Sequence, residues 1–248
     1  MTTAILSALP EEQGGLVHAL AQPERITHAG RAFWRGHLQG QPVVLALSGI
    51  GKVAAATTAT VLAERFGVAR IVFTGVAGGV GEGVQVGDVV VAQDYLQHDI
   101  DASPIFPRWE VPGYGGARMV CDPVLCALLL EAAGACLAGA EGIFDAQNQP
   151  RTHAGLMASG DRFVSTAQES GTLRAALLAA GHDVLAVEME GAAVAQVCRD
   201  YGLPFAAVRT ISDRADDSAH VDFAHFVQNV ASRYADGIVR RLLQLLPK

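Results

Sequence analysis

The sequence predicts a single-domain α/β fold: a mixed, mostly parallel central sheet flanked by helices. Three observations predict it. Apolar runs of strand length alternate with runs of helix length, the pattern of strands joined by helical crossovers. Residues 32–37 and 42–48 flank a turn at Leu38, Gln39, Gly40 and Gln41, which adds a hairpin and hence antiparallel pairing. The chain has 248 residues, 50% of them apolar, with no low-complexity tract and no repeat at solenoid period. A chain of this size buries roughly 70–75% of its extended surface in one core.

Residues 3–9 read as a buried strand, and Pro10 follows at a helix start with Glu11 and Glu12 in the first turn. Lys52 to Phe66 is an Ala- and Thr-rich helix that stops before Gly67. Ile71 to Thr74 is the next strand, opening into a glycine loop over 75–83, and 87–97 is a long strand. The Pro- and Gly-rich segment 102–117 reads as a loop or a partner-facing excursion. Asp122-Pro123 caps a helix running to about residue 138. Strands at 153–159, 184–188 and 204–211 alternate with helices at 166–179 and 190–201. From Asp222 to Leu246, apolar residues including Phe223, Phe226, Tyr234, Ile238 and Leu242 recur at helical spacing, predicting one long amphipathic helix over the core.

Composition narrows the partners. Eighteen Lys and Arg against 25 Asp and Glu give a formal charge of −7, which repels a phosphate backbone and argues against nucleic acid. Charged residues interrupt every apolar run short of the roughly 18 residues a membrane span needs. The N-terminal stretch lacks a basic region and soon turns acidic, unlike a signal peptide. A cytoplasmic protein with a small-molecule ligand is expected, and the apolar excess suggests a subunit interface. Cys121, Cys126, Cys136 and Cys198 form no CxxC pair and have no His at finger spacing, so plain thiols are expected and no metal site.

Several motifs fail. Ser48-Gly-Ile-Gly-Lys52 lacks the Gly at 46 and the hydroxyl residue at 53 that a P-loop requires. A dinucleotide fingerprint from Gly79 and Gly81 would need a third glycine at Val84. There is no Gly-x-Ser-x-Gly, and Asp213, Asp216 and Asp217 lack calcium-loop spacing.

Three acidic positions follow predicted strands: Glu12, the Glu188-Met189-Glu190 run, and Asp213. Singly, each also fits a helix first turn, a cap or a turn. Their context is more specific. Ser48-Gly-Ile-Gly-Lys-Val-Ala-Ala-Ala56, Thr74-Gly-Val-Ala-Gly-Gly79, Val86-Gly-Asp-Val-Val90, Ser159-Gly-Asp-Arg-Phe163, Val187-Glu-Met-Glu190 and Val208-Arg-Thr-Ile-Ser-Asp213 occur in that order. Over most of its length the chain resembles the 5′-methylthioadenosine/S-adenosylhomocysteine nucleosidases, within the wider purine nucleoside phosphorylase superfamily.

The resemblance implies an adenine-releasing nucleoside hydrolase that needs no metal or organic cofactor and assembles as a homodimer. Cleaving an N-ribosyl bond develops positive charge on the sugar and negative charge on the base, so a proton donor and a positioned water are required. The resemblance makes Asp213 the donor, and its carboxyl must then be partly buried or exchange its proton through the bound base. It makes Glu12 the group that positions and deprotonates the water. Glu190 is to accept from ribose hydroxyls, Met189 to lie against the sugar, Phe163 to stack on the purine and Val164 to contact it through the backbone. Arg209 is placed near the water, with a structural ion pair as its alternative role; Val76 and Ser212 complete the substrate-binding set. Carboxylates where the first strand ends would repel phosphate, which favours hydrolysis over phosphorolysis.

The sequence departs from the family in two places. Val76 stands where the nucleosidases commonly have Ser. The 102–117 segment differs from the version expected there; in relatives this region helps close a neighbouring subunit's 5′ pocket, and its alternative here is an aromatic interface loop. Rival readings are a futalosine-type hydrolase, a phosphorylase and a nucleoside-binding protein without turnover.

Overall fold

A computed structural model describes residues 1–138, 149–226 and 231–247. Ten strands form one mixed sheet: β1 (Thr3–Ser7), β2 (Ala21–His28), β3 (Arg31–Leu38), β4 (Gln41–Leu47), β5 (Arg70–Gly79), β6 (Val89–Gln97), β7 (Arg118–Val120), β8 (Thr152–Ser159), β9 (Val184–Glu188) and β10 (Phe205–Asp213). Helices α1 (Pro10–Gln13), α2 (Lys52–Glu64), α3 (Pro123–Ala138), α4 (Ala167–Ala179), α5 (Gly191–Tyr201), α6 (Ala219–Phe226) and α7 (Ser232–Leu245) connect and flank the strands.

The order β4-β1-β5-β10 is parallel throughout. From there β10 pairs antiparallel with β6, β6 runs parallel to β8 and β8 to β9, and β9 returns antiparallel to β5. Five strands thus close into a ring, which removes the open edges a half-sheet would leave. β1 and β10 are buried along their whole length, as strands covered on both faces must be. The carboxyl ends of β1, β5, β8, β9 and β10 converge, so the loops that carry function meet there.

The expected hairpin is β3–β4, with Leu38 opposite Gln41 and both Gln39 and Gly40 at positive φ, the turn geometry that matches strand twist. A second hairpin joins β2 to β3 and was not expected, because β2 is a polar, almost wholly exposed edge strand containing Pro23.

One expectation is corrected. Gly75 to Gly79 form the carboxyl half of β5, not a loop. Glycine serves close approach there: a Cβ on Gly75 would sit 2.9 Å from Glu12 Oε1, and one on Gly78 2.9 Å from Asp213 Oδ1. Of the helix expected over 222–246 the described residues show α6, which begins earlier at Ala219, and α7; residues 227–230 between them lie outside the described residues. The apolar stripe serves two surfaces. Tyr234, Ile238, Val239, Leu242 and Leu243 of α7 pack into the main core, whereas Phe223 of α6 faces a cavity.

Cys121, Cys126, Cys136 and Cys198 are free thiols. The 102–117 segment carries one isolated bridge, Val111 to Gly116, and is pinned by the buried Trp109, whose Nε1 donates to the His98 carbonyl at 3.0 Å. Among the described residues no helix is long and apolar enough to cross a membrane, and no group of His, Cys, Asp and Glu is arranged to hold a metal ion.

Candidate active site

A cavity of about 410 Å³ lies at the converging strand ends. Its wall includes Glu12, Val76, Phe163, Val164, Met189, Glu190, Ser212 and Asp213, eight of the nine residues singled out from the sequence. Arg209 is not on that wall.

Glu12 is brought in by its place in α1. Pro10 starts the helix and Glu12 is its third residue, the position from which an acidic side chain reaches back to the preceding amides. Its Oε2 accepts from Ala8 N at 2.8 Å and Leu9 N at 2.9 Å, and its Oε1 from Val76 N at 3.1 Å. Burial raises its pKa above the ordinary value, while the Arg209 charge and these three amides oppose the rise.

Asp213 ends β10, where the register with β5 shifts between Ile211 and Asp213. Such an irregularity re-aims a side chain, and here the carboxyl group is turned to the cavity wall. It is only 1% exposed. Ser212 Oγ donates to Oδ2 and Ala215 N to Oδ1, each at 2.8 Å. Glu12 is tied to β5 at Val76 and Asp213 lies against Gly78. At strand rise, their anchor points on β5 are on the order of 7–10 Å apart.

Glu190 precedes α5 but does not cap it; its Oε1 instead accepts from Gly51 N at 2.8 Å, across to the start of α2. Burial, and then the Glu188 charge, raise its pKa to about 8. Glu188 takes over the α5 start, accepting from the amides of Glu190 and Gly191. It also receives Ser159 Oγ and the Arg209 guanidinium, the latter at 2.7 Å. Arg209 is 1% exposed and lies 4.1 Å from the centroid of Phe73. It is the ion pair that the sequence left as an alternative, set behind the wall and close enough to Glu12 to oppose its protonation.

Phe163, on the cavity wall, is 40% exposed and edge-on to Phe223 at 5.7 Å between centroids. Val76 packs in a small apolar cluster with Phe226, Leu9 and Phe223. Phe223, Ile50 and His220 also line the cavity and were missed, and so does Glu188, which the sequence singled out only as part of its acidic run. The lone basic residue of the fully buried β10, Arg209, has a buried carboxylate partner, which is Glu188. Nothing in the periodicity distinguished Phe223 from its core-facing neighbours. No residue of 102–117 lines this cavity.

Fold and site together define a protein of the nucleoside-cleaving α/β class, and comparison with known proteins agrees. The Phosphorylase superfamily model matches residues 2–244. A 5′-methylthioadenosine/S-adenosylhomocysteine nucleosidase of Bacillus thuringiensis is 35% identical over 99% of this chain and 100% of its own length. The enzyme of that name from Neisseria meningitidis, solved with methylthio-immucillin-A, superimposes with a TM-score of 0.86 at 33% identity, covering 99% of each chain. A futalosine hydrolase mutant of Helicobacter pylori superimposes with a TM-score of 0.85 at 30% identity, over 99% of this chain and 100% of that one. The chain belongs to the 5′-methylthioadenosine/S-adenosylhomocysteine nucleosidase family of the phosphorylase superfamily.

Proposed function

We propose that the protein is an N-ribosyl hydrolase that cleaves the glycosidic bond of 5′-methylthioadenosine, S-adenosylhomocysteine or both, releasing adenine and the thioribose product. One observation carries this reading: Glu12 and Asp213, 201 positions apart in the sequence, open into the same cavity with Glu190 and Phe163 between the same walls. Asp213 donates a proton to the departing purine. Glu12, anchored by three amides, orients and deprotonates the attacking water. The spacing along β5 leaves room for a water and the sugar carbon it attacks, as in inverting hydrolysis. Glu190 accepts from the ribose hydroxyls, Met189 lies against the sugar, and Phe163 stacks on the base while the Val164 backbone meets its edge. Ser212 holds the Asp213 carboxyl in place.

Charge favours water over phosphate. Glu12, Glu188 and Glu190 all line the cavity, and Arg209, the one fully buried cation among the described residues, is committed to Glu188. Arg162, the arginine on the described wall, is paired with Glu169 at 2.9 Å, so a dianion would meet acidic side chains and an arginine that already has a partner. We further propose a cytoplasmic homodimer. Unpaired thiols fit a reducing compartment, and Ile50, Val53 and Ile105 expose 57%, 78% and 82% of their surface, which a second copy would cover.

The test is product analysis with methylthioadenosine in phosphate-free buffer. Adenine and free methylthioribose are expected; a requirement for phosphate with release of a sugar phosphate overturns hydrolysis, and no release overturns the reading. The Helicobacter pylori neighbour gives a second reading its standing, so aminodeoxyfutalosine belongs in the same assay: faster adenine release from it would reassign the substrate.

A further inference from the structure

In Ser159-Gly-Asp-Arg-Phe163 the proposed chemistry accounts for Phe163 and leaves Asp161 without a role. Asp161 lies outside the cavity wall, on the loop between β8 and α4. Its Oδ1 accepts from the Lys52 amide at 2.7 Å, and the amide one residue earlier, Gly51, donates to Glu190 Oε1 at 2.8 Å. Two consecutive N–H groups at the start of α2 are thus satisfied by carboxylates from two distant loops. The cap residue of that helix, Gly51, supplies no side chain of its own. Gly51 has φ +95°, and a Cβ on it would come within 3.1 Å of Asp161 Oδ1, so the approach is close.

The loop end of this contact is fixed too. Asp161 N donates to Asp99 Oδ2 at 2.8 Å, and Asp99 Oδ1 receives Lys52 Nζ at 2.5 Å, an ammonium that also donates to Gln97 Oε1 at 2.9 Å. Gly160 N donates to the Glu188 carbonyl at 3.1 Å, and the His98 ring occupies the space a Cβ on Gly160 would need. Asp161 therefore joins two rigidly held pieces. One, through the Gly51 amide, holds the side chain of Glu190, the acceptor of the sugar, and the other, two residues on, carries the ring that meets the base.

We propose that Asp161 is a positioning residue, which through the Lys52 amide sets the start of α2 and so holds the Glu190 carboxylate in register with Phe163. This rests on the reading of Glu190 as the ribose acceptor and Phe163 as the base platform. Asp99 and Lys52 are its supports. Sugar and base are then gripped as one unit, and loosening the tether weakens nucleoside binding more than bond cleavage.

The test combines steady-state kinetics on methylthioadenosine with amide exchange. Asp161→Ala is expected to raise KM about 10–30-fold while kcat falls less than about fivefold, the range that a misplaced binding group gives. Asp161→Asn, which keeps the acceptor oxygen, should return KM to within about threefold of the parent. In a Glu190→Gln background, Asp161→Ala should add less than about twofold, because the group it positions is already impaired. In the substrate-free protein, Asp161→Ala should speed exchange of the Gly51 amide about tenfold or more, although that amide keeps its own acceptor. An unchanged KM with unchanged Gly51 exchange overturns the proposal, as does a full Asp161→Ala effect in the Glu190→Gln background. If Asp161→Ala is not recovered folded, Asp161→Glu, whose longer side chain overreaches the Lys52 amide, carries the same expectations. An inactive parent protein overturns the nucleosidase reading, and the exchange measurement then still decides whether Asp161 sets the α2 start.

Discussion

Replacing Glu190 by Gln should make the substrate-free protein less sensitive to rising pH. Burial, followed by the Glu188 charge, lifts the Glu190 pKa from 4.5 to about 8 in the folded state. The sign follows directly: between those values the unfolded chain releases a proton that the folded chain keeps, so folding stability declines as pH rises. At 1.36 kcal/mol per pH unit, the loss accumulates to about 3.5 kcal/mol between pH 5 and pH 8 and levels off above that. Glutamine keeps the oxygen that accepts from Gly51 and carries no charge to bury. Urea titrations of both proteins at pH 5, 6, 7 and 8, at one fixed protomer concentration, measure the difference. The parent should lose stability relative to Glu190→Gln by about 1 kcal/mol for each unit through this window. Parallel curves would refute the reasoning, because they would mean that Glu190 is ionised in the folded protein at pH 5 or is solvated well enough to titrate normally.

Asp213→Asn should lower kcat on methylthioadenosine by about 10²–10⁴ with nucleoside binding largely kept, since only proton donation is removed; Glu12→Gln should do the same through the water, and near-normal turnover in either variant would remove that residue from the mechanism. Gly75→Ala places a methyl group 2.9 Å from Glu12 Oε1, so the carboxylate must leave at least one of its three amides; kcat should fall on the order of 10²-fold with the thermal midpoint little changed. Arg209→Met leaves Glu188 buried without its counter-ion and should cost about 3–5 kcal/mol in denaturant titration, most of it recovered in the Arg209→Met, Glu188→Gln double variant.

The order of elements was legible because β1, β5, β6, β8, β9 and β10 are apolar runs bounded by turn residues, and the helices between them have clear starts and stops. β2 was not legible, since an edge strand exposed on both faces has no alternation to show. The glycines at 75–79 were read by their usual role in turns. Their actual role, admitting carboxylates against a strand, depends on Glu12 and Asp213 arriving from elsewhere in the chain. Phe223 shared its spacing with core residues, and only the position of α6 sends it to the cavity. The site fared better than its surroundings because its acids follow strand ends in recognisable strings. Glu188 was hidden within one of them: in Glu188-Met189-Glu190 both acids look alike, and the difference between holding a helix start with Arg209 and facing the cavity toward α2 is made by three-dimensional partners alone.

Those partners also explain why acids gather here at a cost to stability. Glu12 and Glu190 are both pushed toward protonation by burial, and one guanidinium serves three carboxyl groups. In an empty cavity that is an unfavourable arrangement. On the proposed reading, positive charge spreads over the sugar as the N-ribosyl bond breaks, and that charge favours the ionised form of the carboxyl groups fixed along the wall, which then stabilise it. The same electrostatics act on the leaving side, where Asp213 is held by Ser212 and the Ala215 amide beside the glycine strand. A wall of this kind selects for cationic development at the sugar and against an incoming phosphate dianion. The wall also has an apolar part, where Val76, Leu9 and Phe223 cluster together.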